Sequence, residues 1–224
     1  MQTIILNDLT FRLKERERRT WFIAEAGGQE ALDEFLRQAE AVARPKALFR
    51  AAGFELKGYD QIEIEGVGFK SRVLRVNLEK ASRAFPFVAT CGVELEDWAS
   101  AQTDAARQSW ARIVTGLALG FALKSLEDHL ARHYHPGRLG RMKPGSIPDW
   151  PLEQQQPLFA VLGDVKGSVG VELRPDFFMR PLMTTSGICF PDPEGFECCL
   201  LCLRGDCPGR VRPYDQGLFE RKYR

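Results

Sequence analysis

Residues 95–134 constrain the fold of this chain more than any other stretch, because they carry its strongest helical signal. Apolar side chains recur there at helical spacing, namely Trp98, Trp110, Ile113, Leu117, Phe121, Leu126 and Leu130. Gly116 and Gly120 lie four residues apart in the same stretch, although each glycine costs a helix about 1 kcal/mol relative to alanine. We therefore expect another backbone to pack closely against this smooth face, with the approach of a ligand as the alternative.

Shorter elements surround the long helical stretch. Residues 29–44 carry apolar groups at three-to-four spacing, which predicts an amphipathic helix that ends at Pro45. Residues 60–77 partly alternate between apolar and polar, which predicts a β-hairpin. Further extended pieces are expected at residues 85–91, 169–173 and 184–190. Long helices mixed with short strands, without a regular βαβ alternation, indicate an α+β fold with an antiparallel or mixed sheet.

The composition is that of an ordinary folded domain. The chain has 224 residues, 44% hydrophobic and 27% charged, with a net charge of +1, so nothing in its overall charge favours nucleic acid or an anionic membrane. No apolar run approaches the roughly 18 residues of a membrane span, and the start does not resemble a signal peptide, so we expect a cytoplasmic protein. A soft boundary would separate an N-terminal α/β part, residues 1–92, from a core at residues 93–224 that ends in a cysteine-rich tail.

A glycine-rich exit from the long helix leads into the string Arg141, Met142, Lys143, Pro144, Gly145, Ser146. Arginine offers a planar fork of donors that suits a carboxylate. Pro144 and Gly145 favour a tight turn, in which backbone groups can face a small polar ligand. On residue types alone, such a string is more typical of a surface turn than of a binding site.

A further helix is expected directly after this string. It would begin at Pro151, with Asp149 near its N-cap and Glu153 in its first turn. Pro157 is expected to kink this helix or end it early. The earlier glycines, Gly137 and Gly140, are expected to end the long helix and open a loop.

The six cysteines are unevenly placed, and four of them fall within ten residues: Cys198, Cys199, Cys202 and Cys207. The spacing C-x2-C-x4-C allows three thiolates to converge on one metal, as in zinc sites and iron–sulfur clusters. Cys198, Cys189 or a partner protein could supply the fourth ligand. The alternatives are an iron–sulfur cluster, a zinc ion that holds the tail in place, or reduced thiols without metal. Cys91, in an apolar run, is expected to be a small buried hydrophobic residue.

The turn resembles one in the reactivation domain of cobalamin-dependent methionine synthase, where Arg-x-x-Pro-Gly-Tyr holds S-adenosylmethionine. Residues 141–145 match its first five positions, and Ser146 stands where the tyrosine would be. In stand-alone relatives a Trp-Pro-Leu-Glu helix start follows, as at residues 150–153 here. Residues 90–96, 106–131 and 178–187 resemble the segment before the long helix, that helix, and a later strand.

The cysteine tail resembles stand-alone relatives of the same domain. They often end in C-x2-C-x4-C-P-x-R, matched here by Cys199, Cys202, Cys207 and Arg210, whereas the synthase domain lacks this string. The resemblance covers roughly residues 85–215. It implies a methionine synthase activation-domain-like fold.

The resemblance also implies a function in methionine biosynthesis or a related pathway of methyl transfer. The protein would be an accessory module for the reductive remethylation of cobalamin in methionine synthase or another corrinoid methyltransferase. S-adenosylmethionine would bind near residues 141–146, cobalamin would be carried by the partner, and the cysteines would relay an electron from a donor protein. The alternative is a corrinoid-associated iron–sulfur electron-transfer protein, or a metal-stapled interaction protein, that does not bind S-adenosylmethionine. Neither needs a general base, and His129, His133 and His135 at one helix end are not expected to form a catalytic dyad.

Overall fold

The computed structural model describes residues 2–22, 28–207 and 209–224, and a five-stranded antiparallel sheet runs through its centre. Its strands are β1 (Thr3–Leu6), β2 (Lys46–Arg50), β6 (Phe85–Thr90), β7 (Leu139–Met142) and β10 (Thr184–Pro191). They lie in the order β1-β2-β6-β10-β7, and each neighbouring pair is antiparallel. Strands from both sides of the boundary proposed at residue 92 share this sheet.

Two small sheets and eight described helices complete the fold. The small sheets contain β3 (Phe54–Lys57), β4 (Gln61–Ile64) and β5 (Val67–Lys70), and β8 (Glu172–Leu173) with β9 (Met179–Arg180). The helices are α1 (Glu15–Trp21), α2 (Gly28–Val42), α3 (Arg72–Leu78), α4 (Val93–Ser100), α5 (Ala105–Tyr134), α6 (Gln155–Leu162), α7 (Val165–Val169) and α8 (Leu218–Lys222), with 3-10 turns at Leu152–Gln154 and Cys198–Leu200. The α+β class predicted from the sequence is confirmed.

Both faces of the central sheet are covered, because neighbouring residues of its strands alternate between two apolar clusters. Ala122, Leu126 and Leu130 of α5 pack on one face, against alternate side chains of β2 and β6. The other face packs against α3, α6 and the β3–β5 sheet, and Trp150 is fully buried there. Burying each large apolar side chain contributes about 1.5–3 kcal/mol. The strand predicted at residues 85–91 is confirmed, and its described length, Phe85–Thr90, is buried at every position.

The long helical stretch is interrupted once. α4 ends at Ser100, and α5 begins at Ala105 after Asp104, whose side chain accepts the N–H of Arg107 at 2.9 Å. α5 ends at Tyr134, where His135 takes a left-handed conformation with a φ of 46°. Gly140 therefore lies in β7, beyond the loop that it was expected to open.

The expected close packing against Gly116 and Gly120 is wrong. A Cβ atom built on either glycine meets nothing within 4 Å. Gly116 is half-buried and Gly120 is exposed, because α5 turns other residues towards the sheet. The glycine face of α5 is therefore open in the structure.

The predicted hairpin is confirmed only in its first part. β4 and β5 pair as an antiparallel hairpin, but residues from Arg72 onward form α3. Ser71 begins this helix, since its hydroxyl accepts the N–H of Leu74 at 3.0 Å. Val73 and Leu74 are thus buried by a helix rather than by a strand.

The helix expected after the Arg141 string begins later and runs further than predicted. A 3-10 turn at Leu152–Gln154 leads into α6, and Pro157 lies in the first turn of α6, where its missing N–H costs nothing. Asp149 caps a different helix. Its carboxylate accepts hydrogen bonds from the Ser71 hydroxyl and from the N–H groups of Arg72 (3.2 Å) and Val73 (3.0 Å), at the start of α3.

The α2 helix ends at Val42, before Pro45, as predicted. The extended piece predicted at residues 184–190 corresponds to β10. Of residues 169–173, only Glu172–Leu173 form a strand, β8, because Val169 ends α7. Within residues 2–22, 28–207 and 209–224, no helix has the length and apolar character that a membrane span requires.

Candidate functional site

Arg141 lies in β7 rather than in the turn that the sequence predicted. β7 pairs with β10, where Arg141 lies opposite Cys189, and the backbone N–H of Arg141 donates to the carbonyl of Phe196 at 2.8 Å. Because β10 and Phe196 satisfy backbone hydrogen-bonding groups of β7, the strand continues to Met142 before the chain turns. The tight turn follows at residues 143–146, where Gly145 has a φ of +77° and donates its N–H to the Trp150 carbonyl at 2.8 Å.

The guanidinium of Arg141 is held between two carboxylates. Its two terminal nitrogens lie 2.8 Å from Glu127 Oε1, on α5, and 3.1 Å from Glu197 Oε1. Burial opposes the charge, but the negative charges of Glu197 and Glu127 raise the pKa of Arg141 above its ordinary value. The Nε atom is buried and has no hydrogen-bond partner among the described residues. A ligand carboxylate can therefore reach this arginine fully only by displacing an internal carboxylate.

The other residues of the predicted string, 142–146, differ in how deeply they are buried. Met142 is fully buried, and its sulfur accepts a hydrogen bond from Asn77 Nδ2 at 3.6 Å. Lys143 is half-buried, and burial together with the positive charge of Arg141 lowers the pKa of its ammonium group. Pro144 is buried, whereas Gly145 is exposed and Ser146 half-buried. Ligand access to this string is thus greatest at the turn itself.

The turn and the cysteine-rich tail are in direct contact. The backbone N–H of Lys143 donates to the Sγ atom of Cys198 at 3.3 Å, and the Cys198 thiol lies 3.7 Å from the carbonyl oxygen of Arg141, to which it donates. Burial raises the pKa of Cys198 to about 12. Cys198 is therefore a buried neutral thiol that joins the two segments.

The other three clustered cysteines are more accessible. Cys199, Cys202 and Cys207 are half-buried free thiols, while Cys91 and Cys189 are buried. The described part of the chain contains no group of three or more His, Cys, Asp or Glu side chains arranged to hold a metal ion. The donor chemistry of the three accessible thiols fits a soft metal, although they would have to turn towards one another.

Arg210 organises the loop that carries these thiols. Its guanidinium donates to the carbonyl oxygens of Cys199 (3.0 Å), Cys202 (3.1 Å) and Arg212 (3.3 Å), and to that of Arg204. One side chain thus satisfies four carbonyls of an otherwise irregular segment. The sequence offered a signal for this residue in the spacing C-P-x-R. It offered no comparable signal for Glu197 as a partner of Arg141.

A cleft of about 470 Å³ opens beside the turn. One wall is formed by Ile147, Pro148 and Asp149, which follow the turn, and the opposite wall by the tail and α8, with Leu201, Leu203, Tyr214 and Phe219. Its volume lies within the usual range for small-molecule sites, and its lining is mainly apolar. Leu203, Tyr214 and Phe219 are exposed at 70%, 45% and 39%, respectively, so aromatic and aliphatic surface is available to a ligand there.

The comparisons with known proteins identify the fold. No protein-family profile matches the sequence, and no curated protein sequence matches it. Among solved structures, the chain is similar to the reactivation domain of MetH bound to AdoHcy, with a TM-score of 0.59, 16% sequence identity, and coverage of 88% of this chain and 79% of that one. The fold class is therefore that of methionine synthase reactivation domains, as the Arg141 string and the cysteine tail predicted.

Proposed function

We propose that this protein is an accessory module for the reductive remethylation of cobalamin carried by methionine synthase or another corrinoid methyltransferase. The observation that carries the proposal is the contact of residues 141–143, at the end of β7 and the start of the turn, with Glu197 and Cys198. It is made by the Lys143–Cys198 hydrogen bond and the Arg141–Glu197 ion pair. Remethylation requires a methyl group and one electron at the same cobalt. A fold that places a ligand turn against a thiol-rich segment suits both needs.

S-adenosylmethionine is the proposed ligand near Arg141–Gly145, in the cleft beside the turn. AdoHcy, the ligand of the similar MetH domain, is its demethylated product. Ser146 lacks the aromatic surface of the tyrosine found at this position in the synthase, and it does not line the adjacent cleft. Tyr214 and Phe219 present aromatic surface in that cleft. Stacking of a base on one aromatic side chain is worth about 1–3 kcal/mol. The role of these residues would be to hold and orient the ligand for methyl transfer to the partner.

Cys199, Cys202 and Cys207 are the proposed ligands of an iron–sulfur cluster, with zinc as the alternative metal. Cys198 or a residue of the partner would complete the set, although the hydrogen bonds of Cys198 favour the partner. A cluster would supply one-electron transfer, whereas zinc would only staple the tail. Arg210 would place positive charge beside the thiolates and stabilise them.

The ligand proposal is tested by calorimetric titration of S-adenosylmethionine. Tyr214→Ala should weaken binding about tenfold through the loss of stacking, and Ser146→Tyr should strengthen it by restoring the family's tyrosine. Trp21→Ala, which removes an exposed aromatic ring on α1, is the matched control and should bind like the parent. No binding heat with the parent or with Ser146→Tyr would refute this part of the proposal.

The metal proposal is tested by anaerobic purification with metal and sulfide analysis. A brown protein whose visible absorption is lost in Cys202→Ser and kept in Cys91→Ser supports the cluster. A colourless protein that contains zinc would exclude an electron-relay role for the cysteines and would support a structural zinc ion that holds the tail in place.

A second candidate function is supported by the state of Arg141. Its guanidinium is already paired with Glu127 and Glu197, and Ser146 replaces the family's tyrosine. The protein would then be a corrinoid-associated electron-transfer or interaction module that does not bind S-adenosylmethionine. A cluster-containing protein that gives no heat with this ligand would establish the second candidate over the first.

A further inference from the structure

A second cleft, of about 390 Å³, shares no lining residue with the cleft beside the turn. Its walls come from Cys91 after β6, from α4 and α5, and from Leu182 and Met183 before β10. Cys91 is fully buried at the base, and burial, with the negative charge of Glu96 as a smaller cause, raises the pKa of its thiol to about 12. Its thiol therefore contributes neutral, polarisable surface rather than a reactive thiolate.

The carboxylate of Glu96 forms part of this cleft, and only one of its two oxygens accepts a hydrogen bond from the described residues. One of its oxygens accepts the backbone N–H of Leu182. The other, Oε2, is buried and accepts no hydrogen bond from any residue that the structure describes. Arg180 Nε, on an exposed side chain, forms an ion pair with it at 3.7 Å, which is too long for a hydrogen bond. A buried carboxylate oxygen without a donor raises the free energy of the folded state, so a ligand N–H that reaches it would be favoured.

A free cation lines the same cleft. Arg112, on α5, is exposed, and within the described ranges its guanidinium forms no ion pair or hydrogen bond. The cleft thus combines a carboxylate with one oxygen that accepts no hydrogen bond, an unpaired guanidinium, and an apolar wall of Cys91, Ala111 and Met183. Charges of opposite sign flanking an apolar surface are complementary to a small zwitterion with an apolar body.

We propose that this cleft binds a free α-amino acid with an uncharged, apolar side chain. Its ammonium group would donate to Glu96 Oε2, and its carboxylate would accept from Arg112. Its side chain would lie against Cys91, Ala111 and Met183. The inference is independent of the proposed remethylation function, because it uses neither the Arg141 string nor the cysteine-rich tail.

Binding is tested by calorimetry on the full chain with L-leucine and L-methionine as probes. Two analogues separate the ends of the ligand, because N-acetyl-L-leucine lacks the ammonium group and L-leucinamide lacks the carboxylate. Each analogue should bind at least about tenfold more weakly than L-leucine. Glu96→Gln and Arg112→Ala should each weaken the binding of L-leucine by a similar factor. Arg37→Ala, which removes an exposed arginine on α2, should leave the binding of L-leucine unchanged.

The pairing of variants with analogues makes the result decisive. Arg112→Ala should weaken L-leucine while leaving L-leucinamide unaffected, since the amide has no carboxylate to lose. The proposal would be overturned if neither L-leucine nor L-methionine bound the parent protein. It would also be overturned if Arg112→Ala weakened the binding of L-leucine and L-leucinamide equally. The analogue series on the parent protein remains informative even if Glu96→Gln does not fold.

Discussion

The backbone N–H of Lys143 lies 3.3 Å from the Sγ atom of Cys198 and donates a hydrogen bond to it. This contact joins two segments 55 residues apart in the chain, each of which the sequence singled out separately. The Arg141–Glu197 ion pair runs beside it, at 3.1 Å. A change in the tail can therefore reach the turn through these contacts, together with the hydrogen bonds of Arg141 to Phe196 and of the Cys198 thiol to the Arg141 carbonyl.

Arg141→Ala should destabilise the fold by about 2 kcal/mol. The substitution leaves Glu127 and Glu197 without their shared cation in a partly buried setting, and unpaired buried charges are costly. Urea denaturation measures the loss. Arg19→Ala removes an arginine from an exposed pair with Glu15 and should change stability by less than about 0.5 kcal/mol. Equal effects of the two variants would show that the Arg141 pairs contribute no more than a surface pair.

The cysteines should divide into two classes of thiol reactivity. Cys91 and Cys189 are buried, and burial raises the pKa of each thiol to about 12, as it does for Cys198. At pH 8 roughly one such thiol in ten thousand would be ionised. The native chain, treated with a chelator, should therefore react with a thiol reagent at Cys199, Cys202 and Cys207 only, and at all six cysteines in urea. Rapid native labelling of Cys189, located by peptide mass mapping, would contradict this division.

The sequence predicted elements better than it predicted their contacts. The β6 strand and the α2 helix follow from local apolar patterns, and the structure has both. Arg141 lies in a strand because β7 pairs with β10, which is about 50 residues further along the chain. Asp149 caps α3 from about 80 residues away. Local periodicity carries no information about such pairings. The candidate site was therefore proposed from motif resemblance, and the partners of Arg141 were not predicted.

Gly116→Ala and Gly120→Ala should each stabilise the protein by about 1 kcal/mol. Both glycines lie inside α5, and a Cβ atom at either meets nothing within 4 Å, so the gain in helix propensity is not offset by a clash. Gly187→Ala is the contrasting variant, because its Cβ would lie 2.2 Å from the Met142 carbonyl oxygen. It should destabilise the β7–β10 pairing. Thermal unfolding compares the three variants, and a loss of stability in Gly120→Ala would show that this face is covered in the folded protein.

His129 should make the fold less stable in mild acid. Its ring lies against that of His133, 4.2 Å between centroids and tilted by 32°, and packs edge-on against Phe49. Partial burial, followed by the positive charges of His133 and Arg132, lowers its pKa from the ordinary 6.5. Because the unfolded chain then binds more protons than the folded one, the free energy of unfolding falls as pH drops through the unfolded-state pKa. His129→Gln should therefore lose less stability than the parent between pH 7.5 and 5.5, measured by urea denaturation at constant ionic strength. Identical losses in the two proteins would assign the acid sensitivity to other groups.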